Sequence, residues 1–80
     1  MKSILLDRNW QQLTDGANHI NLQVVSGSVL YTESDNLPDE DTPGFSLNLD
    51  GKIWNIGPEK SWCRARDSSP AIVVISEARV

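Results

Sequence analysis

Over residues 19–34, HINLQVVSGSVLYTES, apolar and polar side chains alternate, break at Ser26-Gly27, and alternate again. A period of two marks a strand with one buried face, because successive side chains on a strand point to opposite sides. No window of useful length keeps the i, i+3, i+4, i+7 apolar spacing of a core-facing helix with a good cap. The chain is thereby confined to the all-β folds.

The segment FSLNLDGKIWNI carries two five-residue alternating runs around Asp50-Gly51, the dipeptide most expected of a two-residue hairpin. Such a hairpin sets Leu49 opposite Lys52, Asn48 opposite Ile53, Leu47 opposite Trp54 and Phe45 opposite Ile56. Phe45, Leu47, Leu49, Trp54 and Ile56 then share one face, which makes Trp54 a core residue and not a ligand platform. The same logic at Ser26-Gly27 puts Val24 opposite Val29 and Leu22 opposite Tyr31, with Ile20 extending the row. His19, Asn21, Gln23, Leu30 and Thr32 fall on the other side.

Near the C-terminus PAIVVISEA is apolar on both faces from Ala71 to Ile75, which suits a central strand covered on both sides. Before it, KSWCRAR alternates, with Trp62, Arg64 and Arg66 on one side and Cys63 and Ala65 on the other. KSILL is a further strand, and NWQQLTDG reads as a loop or short strand. The longest break, residues 33–44, holds two prolines and five acids. About seven short strands predict one all-β domain over residues 1–80, a small antiparallel β-sandwich or partly closed barrel with one long acidic loop.

Size decides what must hold such a domain together. A chain of 80 residues buries only about 60% of its unfolded surface, and small domains find further support in disulfides, a metal or oligomerisation. Cys63 has no intrachain partner, and His19 is the only histidine, so no Cys/His metal cluster is available. Oligomerisation remains, and a dimer or trimer is expected. The net charge of −4 opposes nucleic acid and anionic membranes as partners. No apolar run approaches the roughly 20 residues of a membrane span. The opening MKSILLDRNW holds a three-residue apolar run, against about 7–15 in a signal peptide, so synthesis in the cytoplasm is expected.

Chemistry has few footholds. A Cys–His nucleophile would need Cys63 and His19 to meet, yet Cys63 lies on the inward side of its strand and His19 on the polar side of another. Cys63 reads as a small buried filler and His19 as a surface residue at a strand edge, and no enzyme or cofactor is expected. Glu33, Asp35, Asp39, Glu40 and Asp41 are acids of the kind that ligate Ca²⁺, but they lack EF-hand spacing and read as a solvated loop. Trp62, Arg64 and Arg66 admit three readings: a cap on the core with both arginines paired to carboxylates, a protein interface, or a stacking site for sugars or bases. Trp10 either plugs the end of the sandwich or packs on a neighbouring protomer. Trp10, Trp62, Arg64 and Arg66 are accordingly the candidate contact residues.

Read in order, the chain has a plan: W-x-x-L-x-D-G at 10–16, I-x-L-Q-V-V-S-G-S-V-L-Y at 20–31, D-T-P-G-F-S-L at 41–47, I-G-P-E-K-S-W-C-R-A-R at 56–66, and S-E-A at 76–78. Over roughly residues 10–78 this resembles the small all-β structural and accessory proteins of tailed bacteriophages and prophages, including head decoration, cement and fibre components. The resemblance implies a non-enzymatic virion protein, made in the bacterial host, that self-associates and contacts other virion proteins. It offers no catalytic residues to carry over. Two other expectations stand beside it: a small carbohydrate-binding β-sandwich using Trp62 or Trp10, and a phage protein that binds a host protein.

Overall fold

The computed structural model describes residues 1–78; Arg79 and Val80 lie outside the described residues. It contains eight strands and no helix. In chain order they are β1 (Lys2–Leu6), β2 (Gln11–Thr14), β3 (His19–Ser26), β4 (Val29–Glu33), β5 (Phe45–Leu47), β6 (Trp54–Ile56), β7 (Ser61–Ala65) and β8 (Ala71–Ala78). One sheet has the order β1-β8-β3-β6 and the other β2-β7-β4-β5. Every pairing is antiparallel. The two sheets stay separate, so the fold is a β-sandwich and not a closed barrel. β2, the segment read as a loop or short strand, supplies the eighth strand.

Alternation assigns most side chains correctly to the inside or the outside, and then says nothing about which strand pairs with which. Ile20, Leu22 and Val24 of β3 point inward and meet Val29, Leu47, Cys63 and Ala65 from the opposite sheet in one core cluster. Leu6, Ala71 and Val73 complete the β1 and β8 side of it. Both expected hairpins are nevertheless absent. β3 pairs with β6 and β8, while β4 pairs with β5 and β7. The turn at Ser26-Gly27 therefore carries the chain from one sheet to the other, so Val24 does not face Val29 across a ladder. Gly27 permits this crossing: it sits at φ 76°, and a Cβ there would lie 2.9 Å from the Pro70 carbonyl oxygen.

Asp50-Gly51 likewise connects β5 in one sheet to β6 in the other. The ordered pairing extends over three residues on each side instead of five. Leu47 and Ile56 are buried as expected, but Phe45 is 73% and Leu49 61% exposed, so neither belongs to the core. Trp54 packs against the core from the edge and is half-buried. A two-residue period is satisfied equally by a hairpin and by two strands on opposite walls of a sandwich, since both point the same side chains inward.

β8 is central in its sheet, between β1 and β3, as its apolar run implied. Among the described residues its second face is met only at the β6 side, where the Gln23 amide donates to the Gly51 carbonyl at 3.4 Å and Ile53 lies beside Val74. Pairing sets Ser3, Val74 and Gln23 in one outward row, Leu5 and Ile72 in the next, and Asn21 with Ser76 in a third. Ile72 and Val74 are half-buried and Leu5 is 65% exposed.

Candidate functional site

The outer face of the second sheet is covered, and the residues singled out from the sequence do the covering. Trp62 and Arg64 alternate with the inward Cys63 and Ala65 on β7, so both project outward. The acidic segment 33–44 leaves β4 and folds across them. The Trp62 indole N–H donates to the Ser34 carbonyl at 2.9 Å. The Arg64 guanidinium donates to the Glu40 carbonyl at 2.9 Å and, at 3.4 Å, to the Arg8 carbonyl. The Trp10 indole N–H donates to the Asp39 carbonyl at 2.9 Å. Arg64 also lies over the Trp10 ring, 4.7 Å from its centroid, in cation–π geometry. Thus three of the four candidates, Trp10, Trp62 and Arg64, form one clasp that straps the acidic loop to the sheet.

This corrects two expectations. Trp62 does not close an end of the core, because its strand register turns it outward under the loop. Arg64 is not paired to a carboxylate: its hydrogen-bond partners are backbone carbonyls, and it is only 8% exposed. Its Nε is buried without a partner. Carbonyls suit it for a plain reason. The loop's carboxylates are solvated and exposed, whereas its backbone crosses the sheet at close range. Arg66, one residue beyond β7, is exposed and stands apart from the clasp, its backbone N–H bonded to the Ser28 carbonyl. Trp10 is half-buried, its N–H held by the loop and one ring face met by Arg64.

Within the loop, Asp39 acts as a local organiser. Its Oδ1 accepts from the Asp41 N–H at 3.1 Å and the Thr42 hydroxyl at 2.9 Å, and its carbonyl accepts from the Thr42 N–H. Among the described residues no group of three or more His, Cys, Asp or Glu is placed to hold a metal ion.

His19 and Cys63 are kept apart by the fold. Cys63 is fully buried, facing the core from the β7 sheet, and burial pushes its thiol up to about 12. His19 begins β3, an interior strand of the other sheet, and shares the outward register of Asn21. It is half-buried and not on a sheet edge as expected. A deprotonated nucleophile beside a base has no place here.

One concave feature was not legible in the sequence. At the lateral edge where β5 and β6 end the two sheets, Tyr31, Phe45, Leu47, Trp54 and Ile56 line a cleft of about 290 Å³, with Ser46 and Asn55 beside them. The Trp54 indole N–H is buried there without a partner, and the Lys52 ammonium sits 5.6 Å from its ring centroid. Burial, reinforced by the nearby Glu33 charge, raises the Tyr31 phenol above its ordinary range. Phe45 is the signal that was missed: the assumed hairpin placed it inside. Comparison with protein-family models, with curated protein sequences and with solved structures returned no match.

Proposed function

We propose that this chain is a non-enzymatic structural protein of a tailed-bacteriophage or prophage virion, a decoration, cement or fibre component that works by self-association and protein contact. The observation that carries the reading is apolar surface on a small domain. Leu5, Leu37, Phe45, Leu49 and Ile53 are each more than 60% exposed, although a chain of this size has little apolar material to spare from its core. The groups best suited to chemistry are meanwhile committed to structure: Arg64, Trp10 and Trp62 to the loop, Cys63 to the core. The virion assignment itself rests on the resemblance over residues 10–78. Light scattering on the purified protein across a wide concentration range tests the reading. A discrete dimer or trimer is the expected result, and a strict monomer at all concentrations would count against it.

A second reading is favoured by one feature. The β5–β6 cleft presents Phe45, Tyr31 and Trp54 beside the amides of Asn55 and the hydroxyl of Ser46, a mixture suited to stacking on a sugar ring. This relocates the carbohydrate site expected at Trp62 or Trp10. Titration with a bacterial surface polysaccharide should then change Trp54 emission, and the change should vanish in Trp54→Phe.

A further inference from the structure

We infer that the clasp also encloses a binding pocket for a small organic acid, a single carboxylate carried on an apolar or aromatic body. The site is distinct from the β5–β6 cleft and independent of the virion reading.

The pocket lies where the turn between β1 and β2 meets the roofing loop. Arg8 and Trp10 come from the turn, Leu37, Pro38 and Glu40 from the loop, and Arg64 from β7; they line an open cavity of about 360 Å³. That is the size of a small-molecule site.

Two observations select an anion as the occupant. The first is the state of Arg64. It is only 8% exposed, yet no carboxylate neutralises it: its hydrogen bonds go to the carbonyls of Arg8 and Glu40, and its Nε–H is buried without a partner. Buried charges are ordinarily paired, because taking an unpaired one out of water is expensive. Carbonyls bring the negative ends of dipoles but no net charge. The guanidinium therefore keeps a positive field, which acts strongly where the dielectric is low.

The second is the local balance of charge. Two guanidinium groups and one carboxylate line the cavity, a positive surplus of one on a chain of net charge −4. Neighbouring acids are occupied within their own turns. Asp7 accepts from the Asn9 N–H at 2.9 Å, and the Asp39 Oδ1 from the Asp41 N–H and the Thr42 hydroxyl. A surplus of one suits a monoanion. A phosphate, with a charge of about −1.5 to −2 at pH 7, overcompensates it and meets the acidic loop at a disadvantage. Arg8 is exposed, so its guanidinium can close on a bound carboxylate in the two-pronged fork that these groups form.

The rest of the lining defines the body of the ligand. Leu37, which is 67% exposed, the buried Pro38 and the Trp10 ring supply apolar wall. An apolar body packed on them leaves water while its carboxylate meets the arginines, the usual division between shape and orientation in a ligand site.

The test is a proton–nitrogen NMR titration of the full chain with phenylacetate, with neutral phenylacetamide and with phenyl phosphate. The expected result is saturable shifts of the Trp10 indole N–H and Arg64 Nε–H signals with phenylacetate, and binding at least about tenfold weaker for the other two. Arg8→Gln keeps the main-chain carbonyl that the clasp uses, and should raise the dissociation constant for phenylacetate about fivefold or more. Arg66→Gln, outside the clasp, should leave it unchanged. Circular dichroism monitors folding. Should Arg8→Gln disturb the fold, Leu37→Ser decides, because that exposed side chain belongs to the apolar wall and should weaken binding comparably. Phenylacetamide or phenyl phosphate binding as tightly as phenylacetate overturns the monoacid as the ligand. No saturable shift, an affinity undiminished in Arg8→Gln and Leu37→Ser, or shifts confined to the Trp54 indole overturn the pocket.

Discussion

Cys63 and Arg64 are neighbours on β7, and the pleat sends them to opposite fates. Cys63 faces the core with no exposed surface, and burial alone raises its thiol from 9.0 to about 12. A group whose folded pKa lies above its unfolded one keeps its proton in the native state, so its stabilising contribution is complete below pH 9 and is lost as pH rises toward 12. Native stability should fall by about 1.4 kcal/mol per pH unit across that window. The raised Tyr31 phenol adds to the slope at its upper end. Denaturant titrations at stepwise pH check this, and Cys63→Ala should flatten the curve. At pH 8 a thiol reagent should label the native protein only at the rate of unfolding, since both thiolate and access are missing; rapid labelling would contradict the placement of Cys63.

At the scale of elements, the long loop is an ordered part of the fold because one sheet face holds it. Arg64 makes charge-assisted hydrogen bonds to the carbonyls of Arg8 and Glu40 and stacks on Trp10. Bonds to a charged group contribute about 1.5–3 kcal/mol where the partners are shielded from water. Arg64→Ala should destabilise the protein by about 2–4 kcal/mol and free the loop. A glutamate-specific protease should then cut after Glu40 much faster than in the wild type; equal cleavage rates would mean that the clasp does not hold the segment. Lysine at this position cannot reach two carbonyls in a fork and stack as well, so Arg64→Lys should resemble the alanine variant in the cleavage assay. The crossing at Gly27 is a second elemental device. A side chain there meets the Pro70 carbonyl at positive φ, so Gly27→Ala should lower stability by about 2 kcal/mol or more, as thermal unfolding would measure.

For the whole molecule, stability and association are linked. Among the described residues, twelve buried hydrophobic side chains form a single thin core between two sheets, and a domain of this size gains from any further burial. If the chain self-associates as proposed, melting temperature must depend on protein concentration, because the partner binds only the native state. A hundredfold increase in concentration around the dissociation constant should raise it by about 5 °C. A melting temperature constant across that range would show that no such coupling exists.

The sequence by itself determined the class of fold and the side to which most residues point. A two-residue period with glycine-rich breaks excludes helices, and the inward set Ile20, Leu22, Val24, Val29, Leu47, Ile56 and Cys63 follows from it directly. Pairing was beyond its reach. Alternation is a property of one strand in its own surroundings, whereas the choice between a hairpin and a sheet-to-sheet crossing depends on which distant strands compete for the same edge. β3 found β6 and β8, and β4 found β7, from distant parts of the chain, while β4 met the next strand, β5, only across the long acidic loop. The same limit hid the clasp. Trp10, Trp62 and Arg64 were legible as unusual residues, but their partners are loop carbonyls, and a backbone carbonyl has no letter in a sequence. Only the tertiary structure could decide that one face of the sandwich is roofed by its own acidic loop.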